Sequence, residues 1–147
     1  LLILFGLFII IEGISSAGVI DAIAALFYKA AGGNPFLLYT LIVFVSVILS
    51  AFIDNIPYVT TMIPVVASLA SMMGEDPLVF YFGLLIGATL GGNLTPIGAS
   101  ANITAIGILR KEGYEIKNSD FFRIGVPFTL TAVIVGYSFI WLVWGTV

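Results

Sequence analysis

The sequence predicts an all-α integral membrane protein, and three observations carry that prediction. Apolar residues make up 61% of the 147 positions and charged residues 9%, against roughly 45–50% and about 25% in soluble domains, so there is too little polar surface to coat a water-soluble globule. The few charges divide the chain into uncharged runs at residues 1–11, 30–53, 55–74, 77–109 and 124–147. A spanning helix needs about 20 residues, and a charge at bilayer depth costs on the order of 2.5–3.5 kcal/mol, so these runs are the membrane. The fourth run carries a polar, glycine-rich interruption in its middle, which predicts a discontinuous helix.

Composition also excludes several kinds of chemistry. The chain has no Cys and no His, which removes disulfide frameworks, zinc sites and any His-based triad. Five basic residues against eight acidic ones, a net charge of −3, leave no basic patch for nucleic acid. No phosphate-binding loop pattern is present, so the chain is expected to hydrolyse no nucleotide and to need no organic cofactor. Na⁺ or H⁺ gradients, or a separate ATPase subunit, would then supply the energy for work across the lipid bilayer.

The elements follow in order. Residues 1–12, opening Leu1-Leu2-Ile3-Leu4-Phe5 without Met or a basic region, read as the end of a membrane helix, and the chain is expected to be the C-terminal part of something larger. Residues 15–31 are expected to form an interfacial amphipathic helix, capped by Ser15 or Ser16, with Ile20, Ile23, Ala24, Phe27 and Ala31 on one face and Asp21 and Lys29 off it. Gly32-Gly33-Asn34-Pro35 ends it and opens the next helix.

Residues 35–74 form two hydrophobic arms around the turn Asp54-Asn55-Ile56-Pro57, in which Asp54 is the lone charge. One reading is a helical hairpin that turns at the cytoplasmic surface, with Asp54 capping a helix that begins around Pro57. The other is a re-entrant hairpin whose tip stops near mid-membrane, where a carboxylate is functional by default and its ionised form is penalised by desolvation. A cytoplasmic turn usually carries Lys or Arg, and this one carries neither.

Residues 78–110 are expected to be the broken helix. Run 77–109 drawn as one straight helix would stretch about 50 Å against roughly 30 Å of hydrocarbon, and Gly91-Gly92-Asn93-Leu94-Thr95-Pro96-Ile97-Gly98-Ala99-Ser100-Ala101-Asn102 lies in its middle. A packing kink would account for one or two glycines. Two Asn and a Thr around Pro96 exceed what packing needs, because each buried amide must find partners. Unwound backbone at membrane depth is how many secondary transporters build substrate and ion sites.

Residues 120–147 are expected to form the last transmembrane helix, with Trp141 and Trp144 near its outer end. The basic cluster Arg110, Lys111, Lys117 and Arg123 places the preceding loop in the cytoplasm by the positive-inside rule. By parity Ser16, Asn34, Glu75 and Asp76 then lie outside.

Three stretches, Ser50 to Pro57 with its Asp54-Asn55-Ile56-Pro57, Met62-Ile63-Pro64, and Gly91 to Asn102, resemble the C-terminal repeat of the ion transporter superfamily. That group includes arsenite efflux carriers, sodium/proton antiporters, the melanosomal P protein and the sodium-coupled di- and tricarboxylate symporters. The resemblance covers nearly the whole chain in the right order. It implies one half of an inverted-repeat transporter, a homodimer whose transport domain moves against a scaffold, with the missing N-terminal repeat supplying the opposing hairpin and half of the site. It implies location in the cell (plasma or inner) membrane as a multi-pass protein.

The carboxylate symporters carry Ser-Asn-Thr where this sequence has Asp54, Asn55 and Ile56. Only the Asn agrees, and the tip is similar to the Asp-Asn-x-Pro of the antiporter, P-protein and arsenite branches. On these grounds Asp54, Asn55, Pro57, Gly92, Asn93, Thr95, Pro96, Gly98, Ser100 and Asn102 are the candidate substrate and ion residues, with Na⁺ at Asp54, Asn55, Asn93 and Asn102. The expected function is secondary active transport of an inorganic or organic anion, or Na⁺/H⁺ exchange. Alternatives are the membrane channel subunit of an arsenite efflux pump, and a structural membrane subunit that tolerates apolar residues at Asp54 and the asparagines. An intramembrane aspartyl hydrolase would need two carboxylates sharing a proton, and Asp54 has no deep acidic partner.

Overall fold

The computed structural model describes residues 16–145 together with Gly6, Ile9 and Gly13. The rest of the membrane helix expected over residues 1–12, and the last two residues of the helix expected over 120–147, lie outside the described residues. Among those described there is no strand, and from Val19 onward six helices follow: α1 Val19–Ala31, α2 Pro35–Ser50, α3 Asn55–Met73, α4 Leu78–Gly91, α5 Ser100–Lys111 and α6 Asn118–Trp144. α3 and α6 are long and apolar enough to cross a membrane, while α2 and α4 are shorter apolar helices.

Local chemistry explains most of the boundaries. Gly32 ends α1 at φ 59°, a left-handed conformation that glycine adopts without steric cost. Asn34 then caps α2, its Oδ1 accepting from Leu37 N–H at 3.2 Å, with Pro35 in the first turn. Ahead of α4, whose cap position is Pro77, Asp76 Oδ1 accepts from Leu78 N–H at 2.7 Å. The expected cap of α1 is corrected. Gly18, at φ 71°, precedes Val19 with no side-chain hydrogen bond, and Ser16 sits in helical backbone of its own.

α1 turns Ile20, Ala24 and Ala31 inward, with Ile23 and Phe27 packed against the core, and this face lies on α3 and α2. Asp21 and Lys29 are exposed.

The most extensive packing joins α2 to α4. Lipid tails are as apolar as Leu, so helices in a membrane associate through close van der Waals contact and hydrogen bonds rather than through the hydrophobic effect. Glycines at every fourth position of α4 allow that approach. A Cβ on Gly83 would lie 2.7 Å from the Tyr39 ring, one on Gly87 would strike the Val43 carbonyl and the Ser46 side chain, and one on Gly91 would lie 2.6 Å from the Val47 carbonyl. Ser50 Oγ–H donates to Ala88 O at 2.5 Å across the same seam. Residues 39, 43 and 47 meet 83, 87 and 91, so the two helices run parallel.

α6 covers α4 in the opposite direction. Gly125 abuts the Asn93 carbonyl, and Gly136 abuts Ile86. Nearer its end, Tyr137 stacks on Tyr39 with ring centroids 5.1 Å apart, and Trp141 packs on Tyr39 and Phe36. Tyr39 O–H donates to Tyr137 O at 2.9 Å, and Thr40 Oγ1 and Tyr137 Oη are 2.8 Å apart. The arms α2 and α3 touch little along their lengths; Ser46 and Tyr58 join them through a buried hydroxyl pair at 2.9 Å.

Candidate functional site

The stretch between α4 and α5, residues 92–99, is not helical. α4 therefore ends on Gly91 with its carbonyl end, and α5 begins on Ser100 with its N–H end. The turn between α2 and α3, residues 51–54, lies against this break. Thr95 Oγ1–H donates to Ala51 O, and a Cβ on Gly98 would lie 2.8 Å from that same carbonyl and 2.6 Å from Gly92 O. Any side chain at Gly98 would push tip and break apart.

Asp54 is the group that joins the two motifs. It holds the cap position of α3 but makes no capping hydrogen bond there. Its Oδ2 instead accepts from Ser100 N–H at 3.3 Å and from Ser100 Oγ–H. Asp54 thus caps α5, whose own cap residue Ala99 has no side chain able to do so. Two donors and the positive end of a helix favour the carboxylate form. They oppose the desolvation on which the sequence reading relied.

The asparagines are pinned by their nitrogens. Asn102 Nδ2 donates to Gly92 O at 2.9 Å and to Thr95 O at 3.1 Å, tying the first turn of α5 across the break. Asn93 Nδ2 donates to Leu90 O at 3.4 Å. Each side chain keeps its Oδ1 as the acceptor on offer, the half of an amide that a hard cation takes. Thr95 is spent differently. It is buried, its hydroxyl donates to Ala51 O, and it receives Ile97 N–H at 3.4 Å, so it serves as a strut between break and tip.

The structure therefore brings Asp54, Ser100, Thr95, Gly98, Gly92 and Asn102 into one connected cluster, with Asn93 at its α4 edge. Among the described residues Asn55 and Pro57 make no side-chain hydrogen bond to the break; they form the first turn of α3 beside Asp54. Pro96 lines a separate groove of about 290 Å³ shared by α5 and the start of α6, with Ile103, Arg110 and Phe121. The sequence reading left out Ala51, whose carbonyl receives Thr95, and Gly125, which lets α6 reach Asn93. A four-residue spacing of small residues on α4 and α6 was the available signal.

Among the described residues the regular structure is all helical, with a polar break and a carboxylate at an interhelical turn, and comparison with known proteins places the sequence among membrane transporters. The chain belongs to the CitMHS citrate transporter family, which it matches over residues 1–146, within the ion transporter superfamily. It is 40% identical over 144 residues to an uncharacterized transporter of Mycobacterium bovis, covering 97% of this chain and 34% of that protein. It is 35% identical over 144 residues to a 46 kDa membrane protein of Mycobacterium leprae, with the same coverage of 97% and 34%. With the human P protein it shares 42% identity over 106 residues, 68% of this chain and 12% of that one. The chain spans about a third of the length of the mycobacterial relatives it matches. No solved structure matches it.

Proposed function

We propose that this chain is half of the transport domain of an ion-coupled secondary transporter in the cell membrane, with Asp54 as the coupling carboxylate. One observation carries the reading. The tip that holds Asp54 and the break that ends in Ser100 lie side by side, while the chain continues past that level through the twelve residues of α5. On this reading the broken run crosses the membrane once and residues 35–74 form a re-entrant hairpin, because a tip level with the middle of a crossing run does not reach the far surface.

The chemistry follows from that placement. A cation entering the cluster meets the Asp54 carboxylate and the amide oxygens of Asn93 and Asn102, with Asn55 adjacent in sequence. Ser100 and the N-terminal end of α5 are then left free to favour an anionic group. Na⁺ balances the carboxylate in one arm of the cycle, or a proton replaces it. The transported species is an inorganic or organic anion, as the citrate transporter name of the family suggests, or the cation itself in Na⁺/H⁺ exchange. The remaining length of the relatives would supply the opposing repeat, and a homodimer would supply the scaffold. Transport by the full-length protein in vesicles, under imposed Na⁺ and pH gradients, against citrate, dicarboxylates, arsenite and Na⁺, tests the reading. Absence of any gradient-dependent flux would overturn it.

A further inference from the structure

Thr129 stands out on α6. Its side chain is fully buried, and its Oγ1 has no hydrogen-bond partner among the described residues. A threonine in a helix commonly donates to the carbonyl four residues back. Thr40, Thr60, Thr61 and Thr104 do so here, to Phe36, Ile56, Pro57 and Ser100 at 2.7, 2.7, 2.9 and 2.9 Å. Thr129 does not use the Gly125 carbonyl in this way.

Its position on α6 places it beside the break. Gly125, one turn earlier, is the point at which α6 abuts the Asn93 carbonyl. Side chains four apart on a helix lie on one face, roughly 5–6 Å from each other. Gly125, Thr129 and Val133 are the buried residues of α6, so Thr129 lies on the face that covers the carbonyl end of α4. That end carries the negative pole of the helix, and Asn93 there presents its main-chain and amide oxygens while its nitrogen is held by Leu90 O. The one basic residue near this part of α6, Arg123, is exposed.

We infer that Thr129 Oγ1 is a ligand to a monovalent cation at the junction of α6 with the α4 end of the break. Full burial within this chain leaves no room for a further polypeptide segment to reach the hydroxyl, so its partner is small. A hydroxyl oxygen beside the negative pole of a helix favours a hard cation over an anion. The inference rests on the break being the ion site, and it adds α6 to the elements that build that site.

The test is Na⁺ binding by the purified full-length protein, read as the rise in thermal unfolding temperature with NaCl at constant ionic strength, choline chloride making up the balance. Thr129→Val keeps the shape and removes the hydroxyl. It should raise the half-saturating Na⁺ concentration at least about tenfold, the loss expected for a hydrogen-bonding group facing a charge. Thr129→Ser should stay within about threefold of the parent, since it keeps the ligand atom. Thr129→Ala, which only trims the side chain, replaces the Val variant if that one does not fold. Without Na⁺ the Val variant should unfold at the same temperature as the parent or higher, because an unpartnered buried hydroxyl is gone. A Val variant with the parent's Na⁺ dependence would overturn the inference, as would the absence of any Na⁺ effect on the parent. The first result leaves the role of Asp54 untouched, and the second would leave Asp54 only its proton-coupled role; that role is read separately from the gradient dependence of transport.

Discussion

The Asp54 carboxylate accepts both the N–H and the Oγ–H of Ser100, so a residue at the tip of one helix pair caps the helix that follows the break. This contact holds the two motifs at one level, and it has the consequences of a helix cap. A hydrogen bond to a charged group typically contributes about 1.5–3 kcal/mol, less where the site is exposed. Ser100→Ala keeps the main-chain donor and removes the hydroxyl, so it should lower the unfolding temperature of the purified protein modestly. Ion coupling should change as well, since Asp54 then loses a competitor for the cation. A tighter apparent Na⁺ affinity in Ser100→Ala is the expected outcome in a flux titration, and a weaker one would show that Ser100 is itself a ligand.

Asp54→Asn retains size and can still accept from Ser100 N–H, but it cannot titrate or carry charge. Folding of the full-length protein should therefore survive, as judged by monodispersity and unfolding temperature. The dependence of transport on Na⁺ or pH should disappear. If the variant transports at the parent's rate with the parent's ion dependence, Asp54 is only the cap of α5.

The glycines of α4 lead to a stability prediction. Gly87→Val would drive its Cβ into the Val43 carbonyl and Ser46, and overpacking of this kind typically costs about 1–3 kcal/mol when the backbone can shift at all. Here the obstacle is backbone on a parallel helix, so the upper end or outright failure to fold is expected. Gly107 on α5 meets nothing within 4 Å, and Gly107→Ala should be neutral or slightly stabilising. Comparing the unfolding temperatures of the two variants checks the seam directly.

How much of this was legible in the sequence depended on how local the physics was. Gly32 and Pro35 mark their boundaries because φ preference and a missing N–H act on the residue itself. The break at residues 92–99 was legible because Gly, Asn and Pro are costly in a helix surrounded by apolar side chains. Ser16 misled, because a hydroxyl ahead of an amphipathic run is a cap only if the chain leaves helical geometry there, and Gly18 takes that turn instead. The partner of Asp54 was out of reach, since 46 residues separate it from Ser100 and nothing in either motif names the other. Thr129 was hidden for a related reason: a threonine in a membrane helix ordinarily satisfies itself within its own turn.

Sidedness can be read with single cysteines, as these 147 residues contain none. The basic loop around Lys117 should face the cytoplasm and Glu75 the outside. An impermeant thiol reagent added to intact cells should label a cysteine at position 75 and spare one at position 117. The reverse pattern would invert the topology.

The isolated chain should not transport. Both motifs belong to a single cluster in which Asp54 is only partly buried, and α5 has no buried residue at all. Large apolar side chains such as Ile56, Ile63, Ile97, Ile103 and Ile108 stay exposed on α3, the break and α5. A site that moves an ion through a membrane must be closed off from one side at a time, and nothing in this cluster closes it. The relatives are about three times as long as the matched segment, which leaves ample chain to cover those faces. Reconstituted into vesicles with an imposed Na⁺ or pH gradient, the 147 residues should give no uptake above empty vesicles, whereas the full-length protein should. Uptake by this segment alone would mean that the cluster at Asp54 and Ser100 is a complete site, and the proposal of a second, opposing half would fall with it.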